Sequence, residues 1–139
     1  MVVKTGIAVA ALLLTGAAAR ADVAAFQGLF DCGSSQTQAA ISACASMNFS
    51  AAESDLKDAY AAALLRMNAL DQQAPADKRR AAAALQAAEK AWVAYRDLGC
   101  SAESRVVPAG VTRASAVLAC KARLASDRSV ELWTLSGGP

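Results

Sequence analysis

Residues 85–100, LQAAEKAWVAYRDLGC, decide the fold that we predict for this chain. The larger apolar side chains of this stretch recur at helical spacing, which predicts that they share one face of a helix. These residues are Leu85, Ala88, Trp92 and Tyr95. Gly99 follows as an expected helix stop, because glycine is common just beyond helix ends. The stretch therefore predicts a helix with an aromatic face that ends beside a cysteine.

Two helices are expected before this stretch. Thr37 can cap a short first helix that reaches about residue 45, and residues 47–48 are expected to form a turn. Residues 50–53, Ser-Ala-Ala-Glu, match a capping box, so a second helix should start there and reach residue 71. The apolar stripe predicted for this second helix is Leu56, Tyr60, Leu64, Met67 and Leu70.

The helix that contains residues 85–98 should begin near Pro75, because proline suits the first turn of a helix. A long loop is expected at residues 101–111, and Thr112 can cap a final helix. No strand pattern or repeat occurs. We therefore predict an all-α fold, a small disulfide-stapled bundle of one short and three longer helices.

The first 21 residues have the features of a secretory signal peptide. Lys4 gives a weakly positive start, a short apolar run follows, and residues 19–21, Ala-Arg-Ala, form a small-x-small cleavage site. We expect cleavage before Asp22, which leaves residues 22–139 as a single helical domain of a periplasmic or secreted protein. Cleavage two residues earlier and an uncleaved amino-terminal anchor are the alternatives.

The predicted cleavage would also remove two basic residues, Lys4 and Arg20. The 14 lysines and arginines would then fall to 12 and balance the 12 acidic residues. A neutral domain without an anchor disfavours nucleic acid and anionic membranes as partners, because both attract strongly basic surfaces.

Four cysteines in a small exported chain predict two disulfides. Three pairings are possible, and we favour Cys32–Cys44 together with Cys100–Cys120 because each closes a short loop. Closing such a loop contributes about 3 kcal/mol of stability in the chain-entropy model. The absence of histidine disfavours a zinc site built from cysteine and histidine.

The sequence predicts no catalytic residue, metal or cofactor. The absence of histidine excludes Ser-His-Asp and Cys-His arrangements, and no glycine-rich phosphate loop or acidic metal cluster occurs. Because the cysteines are expected to be oxidised, no thiolate nucleophile is expected either. The chain is therefore predicted not to be an enzyme.

The predicted loop at residues 101–111 is the best candidate for binding a protein partner. It would be pinned by a Cys100–Cys120 disulfide, and pre-organisation lowers the cost of binding. An ordinary surface connection is the alternative. The candidate contact residues on and beside this loop are Glu103, Arg105, Val106, Val107 and Arg113.

Structural roles are favoured for the aromatic and charged residues of the central motif. Trp92 and Tyr95 are expected to pack between helices rather than line a ligand pocket. Arg96 should stabilise its own helix end or pair with a buried acid such as Glu53, although contact with a partner is an alternative. Asp97 and Arg128 are interpreted as inter-helix or solvated charges.

These residues together resemble the LprI-type lysozyme inhibitor family, small exported bacterial domains with four ordered cysteines. The resemblance covers about residues 32–135, and its most specific part is the pattern W-x-x-Y-R-D-x-x-C at residues 92–100. The matching residues are Cys32, Thr37, Cys44, Leu56, Tyr60, Leu85, Ala88, Trp92, Tyr95, Arg96, Asp97, Cys100, Gly110, Cys120 and Arg128.

The resemblance implies an all-helical, disulfide-stapled domain in the bacterial envelope and, for some members, inhibition of lysozyme. We therefore expect an inhibitor of c-type lysozyme that occludes the substrate cleft, with Arg105 or Arg113 facing the catalytic acids. A non-catalytic envelope protein-interaction module, including a homodimer through a helix face, is the alternative. A small-molecule binder with a pocket at Trp92 and Tyr95 is a third hypothesis.

Overall fold

The computed structural model describes Cys32 and residues 37–107 and 109–138, and these form an all-helical fold. The long helices are α1 (Gln38–Gln73), α2 (Ala81–Glu103) and α3 (Arg113–Ser136). Short 3-10 turns at Ala76–Lys78 and Ser104–Val106 lie in the two connections. None of the described helices carries an apolar stretch long enough to span a bilayer. The predicted signal peptide at residues 1–21 lies outside the described residues.

The three helices form a bundle in which α1 and α3 run parallel and α2 runs antiparallel to both. Near the starts of α1 and α3, the hydroxyls of Ser42 and Ser115 are hydrogen-bonded at 2.9 Å. Further along both helices, Trp133 Nε1 donates to Asp55 Oδ1 at 3.2 Å. At the far end of α1, the Asp71 carboxylate contacts the first residues of α2.

The core consists largely of small side chains along the seam between α1 and α3, which pack on each other more extensively than either packs on α2. Alanines are good helix formers, and their small side chains let two helix backbones approach closely. Larger side chains fill the space beside the seam. The buried cluster comprises Ala52, Leu56, Ala59, Ala63, Leu85, Ala122, Ala125 and Leu132, with Phe49, Tyr60, Leu64, Met67, Trp92 and Trp133 packed against it.

The predicted turn at residues 47–48 is wrong, so the described bundle has three helices rather than four. Asn48 is a buried residue within α1, and its side-chain amide donates to Cys32 Sγ at 3.3 Å. Glu53 pairs with Arg96 instead of capping a helix start. Because both polar side chains have tertiary partners, α1 continues without interruption from Gln38 to Gln73.

The start of α2 is set by Asp71, at the end of α1, rather than by Pro75. The two carboxylate oxygens of Asp71 accept hydrogen bonds from the backbone N–H groups of Ala81 and Ala82 at 2.8 and 3.0 Å. These N–H groups belong to the first turn of α2 and have no acceptor within the helix. The predicted start at Pro75 is therefore too early, and only a 3-10 turn, Ala76–Lys78, follows that proline.

This capping arrangement predicts acid sensitivity. The N–H groups of Ala82 and Ala81 lower the pKa of Asp71 below its ordinary value of 3.8. A pKa lowered in the folded state means that the unfolded chain binds the proton more readily, so the stabilisation is present above the unfolded pKa and is lost as the pH falls through the folded pKa. We therefore expect the temperature of thermal unfolding to decrease as the pH is lowered below about 4.

The Asp71→Asn variant should lose part of this pH dependence, because an amide does not titrate. Circular dichroism melts at a series of acidic pH values would measure the difference between the two proteins. The variant should still keep some acid sensitivity, because Asp97 remains in place. Burial alone would raise the pKa of Asp97, but its hydrogen bonds with Lys121 and Arg96 lower it overall. Identical pH profiles for wild type and variant would contradict the role of Asp71.

Candidate functional site

Both disulfides lie at the end of the bundle where α1 and α3 begin. Cys32 is bonded to Cys44, with their Cα atoms 5.7 Å apart, and Cys100 is bonded to Cys120, with their Cα atoms 5.5 Å apart. This is the pairing that we predicted because each disulfide closes a short loop. Cys100 is fully buried and Cys120 is 4% exposed. The second disulfide therefore joins the last turns of α2 to α3 inside the molecule, directly below their connection.

The α2–α3 loop, residues 104–112, is held at both of its ends. At the first end, the buried Ser104 hydroxyl donates to the Ser101 carbonyl at 2.8 Å. At the other end, Thr112 Oγ1 accepts from the Ser115 N–H at 3.1 Å and caps α3, as the sequence predicts. These contacts and the Cys100–Cys120 disulfide fix the direction in which the loop leaves the bundle.

The loop is shorter than predicted, because α2 does not stop at Gly99. Gly99 is helical and lacks the positive φ of a helix-ending glycine, and α2 continues to Glu103. Its last turn is held by the Cys100–Cys120 disulfide and by an ion pair between Glu103 and Arg123 at 3.0 Å. Glu103 is therefore an exposed helical residue with a partner in α3, not a loop residue.

The remaining candidate contact residues lie on or beside the loop. Arg105 and Val106 are exposed, with Val106 at 84%, whereas Val107 is partly buried. Arg113 is exposed as the first residue of α3. Neither arginine forms an ion pair with any described residue. The turn through Gly110 has a φ of +88°, a conformation that glycine adopts without steric cost.

Arg96 is a buried charge with two partly exposed acidic partners, and its predicted pairing with Glu53 is present. Its side chain is only 8% exposed, and its Nε donates to Asp97 Oδ1 at 3.0 Å. The guanidinium carbon also lies 5.2 Å from the Trp92 ring centroid and 5.8 Å from that of Phe49. Cation–π contact and ion pairing together hold Arg96 inside the bundle, where it cannot reach a partner.

A second, largely buried ion pair links α3 to α2 through Arg128. Its Nε donates to Glu89 Oε1 at 2.6 Å and its Nη1 donates to Glu131 Oε2 at 2.5 Å. The side chains of Arg128 and Glu89 are 15% and 12% exposed. Burial by itself would lower the pKa of Arg128, but the hydrogen bonds to Glu131 and Glu89 raise it above its ordinary value. The guanidinium therefore stays charged.

Tyr95 does not share the packing face of α2, contrary to the predicted aromatic stripe. It is 64% exposed, and Ala88 is exposed as well, whereas Trp92 is partly buried. Charged residues occupy the inner face instead of Tyr95. The residues directed into the bundle are Leu85, Glu89, Trp92, Arg96 and Cys100. Leu56 and Tyr60 of the family pattern lie in or against the core and are structural.

Trp92 is partly buried whereas Tyr95 is 64% exposed, so the two side chains do not both face the interior. An open groove of about 740 Å³ does lie between α1 and α2. Its lining includes Glu53, Tyr60 and Glu89, but neither Trp92 nor Tyr95. The two acids in this groove already pair with Arg96 and Arg128. The groove therefore does not support the hypothesis of a small-molecule binder.

Comparison with known proteins assigns the chain to a family. The family model described as "Lysozyme inhibitor LprI" matches residues 31–132. An uncharacterized protein of Rhizobium meliloti (strain 1021) is 30% identical over 108 residues, which are 76% of this chain and 78% of that protein. No solved structure matches the chain. Because the family match covers more than half of the sequence and includes all four disulfide-bonded cysteines, the protein belongs to the LprI lysozyme inhibitor family.

Proposed function

We propose that this protein inhibits c-type lysozyme by placing the α2–α3 loop in or over the substrate cleft of the enzyme. Family membership supports lysozyme as the target class. The observation that carries the choice of surface is the exposed pair Arg105 and Val106 on a loop that is held at both ends. The predicted signal peptide fits this proposal, since an inhibitor must leave the cytoplasm to meet lysozyme.

The anchoring of the loop at both ends supports a role in binding. A loop that is ordered before contact loses less conformational entropy on binding than a flexible one. Here the disulfide, the Ser104 hydroxyl and the Thr112 cap fix both ends of the loop before any partner arrives.

The charge of the loop supports the same target. Glycoside hydrolases carry paired carboxylic acids at the scissile bond, so the cleft of lysozyme has negative charge at its centre. Arg105 and Arg113 have no ion-pair partner among the described residues and are free to face these acids. Complementary charge speeds association and fixes the orientation of the partners.

The Arg105→Glu/Arg113→Glu variant should inhibit at least about 30-fold more weakly than the wild type. Disrupting close charge pairs at an interface costs about 2–5 kcal/mol, and every 1.4 kcal/mol is about a tenfold change in affinity. Inhibition constants would be measured in a cell-wall clearing assay with c-type lysozyme. Both arginines are exposed, so the helical content should not change.

The matched control is Lys78→Glu/Arg80→Glu, which reverses two exposed charges at the opposite end of the bundle. It changes the net charge by the same amount, and inhibition should be unaffected. If both variants inhibited equally weakly, the loss of inhibition would be due to net charge alone. That result would contradict the proposal that the α2–α3 loop contacts lysozyme. A folded wild type that does not inhibit at all would instead favour the envelope interaction module.

A further inference from the structure

The outer face of α2 is apolar along almost its full length. Successive helical turns place eight alanine, tyrosine or leucine side chains on this face, all of them exposed. The residues of this apolar face are Ala84, Ala87, Ala88, Ala91, Ala94, Tyr95, Leu98 and Ala102. Tyr95 is 64% exposed and Leu98 is 74% exposed. No described residue covers either side chain.

The charged residues of α2 are found elsewhere on the helix. Glu89 and Arg96 are directed into the bundle, where each has an ion-pair partner. Lys90 and Asp97 lie together along one edge of the apolar face, two helical turns apart. A surface helix usually buries its apolar side and presents its polar side to water. α2 buries Leu85 and Cys100, but it also leaves an apolar face exposed. A continuous exposed apolar face of this kind is typical of an interaction surface.

We propose that the apolar face of α2 binds the same face of a second copy, with the two helices antiparallel across a two-fold axis near residues 93–94. The face is suited to this arrangement because its large and small side chains are separated along the helix. Tyr95 and Leu98 lie in the carboxyl half, whereas the amino half contains only alanines. An antiparallel partner would place Leu98 over Ala88 and Ala91, so large side chains would meet small ones.

The edge charges are complementary in the same register. Lys90 and Asp97 lie almost equally far from the proposed axis, so Lys90 of each copy would face Asp97 of the other. The Asp97 side chain is 45% exposed, and its ion pairs with Arg96 and Lys121 both use Oδ1. A parallel pair would instead place the Lys90 side chains of the two copies on opposite sides of the interface, so the pairing of Lys90 with Asp97 would be lost. Antiparallel pairing places large side chains against small ones and Lys90 against Asp97. The contact is isologous, as in most homodimers.

The dimer would leave both inhibitory surfaces accessible. The α2–α3 loop follows the carboxyl end of α2, so an antiparallel pair would carry one loop at each end. At about 1.5 Å per residue, Ser104 lies about 16 Å along α2 from the axis, which would separate the two loops by roughly 30 Å. The interface and the proposed lysozyme contact do not overlap, and each can be tested without the other.

Sedimentation of the oxidised mature chain over a concentration series tests the dimer. Ala94→Glu would place two carboxylates beside the axis and should raise the dimer dissociation constant by at least about tenfold. Ala61→Glu, on an exposed alanine of α1, is the matched control and should not change it. A wild type that stays monomeric at every concentration, or equal effects of the two variants, would overturn the proposal.

Disulfide trapping tests the register. The Ala94→Cys variant should form a crosslinked dimer under mild oxidation, because residues beside a two-fold axis can bring their Cα atoms within the 4.4–6.8 Å or so that a disulfide needs. The Ala84→Cys variant should not crosslink to itself but should crosslink to the Ala102→Cys variant. Self-crosslinking of Ala84→Cys with none for Ala94→Cys would overturn the antiparallel register.

Discussion

Replacing Arg128 with methionine should lower the free energy of unfolding by about 3–5 kcal/mol, the cost of removing one partner from a buried ion pair. Methionine can fill much of the space left by the arginine stem but offers no charge to Glu89. The Glu89 side chain is only 12% exposed, so water cannot replace the lost guanidinium fully. Urea unfolding followed by circular dichroism would measure the loss.

Two controls separate the buried charge from lost packing. Arg123→Met removes an exposed ion pair with Glu103 and should cost at most about 1 kcal/mol. The double variant Arg128→Met/Glu89→Leu removes both buried charges and should regain most of the stability, because an apolar pair can replace a buried ion pair without loss. A double variant as unstable as Arg128→Met would show that packing or Glu131, rather than the unpaired Glu89 carboxylate, carries the effect.

Removing the Cys100–Cys120 disulfide should also destabilise the fold strongly. The two cysteines are separated by 20 residues, and the entropy of closing such a loop predicts a loss of about 3 kcal/mol for Cys100→Ala/Cys120→Ala. Because this disulfide joins α2 to α3 below the proposed inhibitory loop, lysozyme inhibition should weaken too. Thermal melts and the clearing assay would be run on the same sample at a temperature where it is folded.

The Cys32–Cys44 disulfide offers the matched comparison. Its separation of 12 residues predicts a similar entropic contribution, about 3 kcal/mol, but it joins Cys32 to α1 rather than α2 to α3. Cys32→Ala/Cys44→Ala should therefore lose stability and keep its inhibition while folded. If both double variants inhibited equally well, the pinning of the loop by Cys100–Cys120 would have no part in binding.

Much of the fold was predictable from local sequence patterns. Thr37 and Thr112 cap helices as predicted, because a capping hydroxyl needs only a backbone N–H a few residues away. The disulfide pairing followed the short spacing of the cysteines. The predicted break before Ser50 failed for a non-local reason: Glu53, the acid of the capping box, pairs with Arg96, 43 residues further along the chain.

The site predictions succeeded for the exposed loop and failed for Tyr95 and Asp71. The exposure of Arg105 and Val106 was predictable, because a loop between two capped helices faces solvent. The place of Tyr95 was not, because the pattern was built on apolar residues alone. Including Glu89 and Arg96 in the helical spacing from Leu85 would have identified the inner face, although charges are rarely expected there. Asp71 as a cap for α2 was hidden by its ten-residue distance from Ala81.

Because α1 and α3 run parallel, their seam cannot assemble from neighbouring segments of chain. The hydrogen bonds between these helices join residues 73 and 78 positions apart, whereas the Cys100–Cys120 disulfide joins residues only 20 apart. Contacts between nearby segments form faster than distant ones. The two hairpins of consecutive helices, α1 with α2 at Asp71 and α2 with α3 at the disulfide, should therefore form before the seam between α1 and α3 closes. The proposed inhibitory loop would then be in place before that seam is complete.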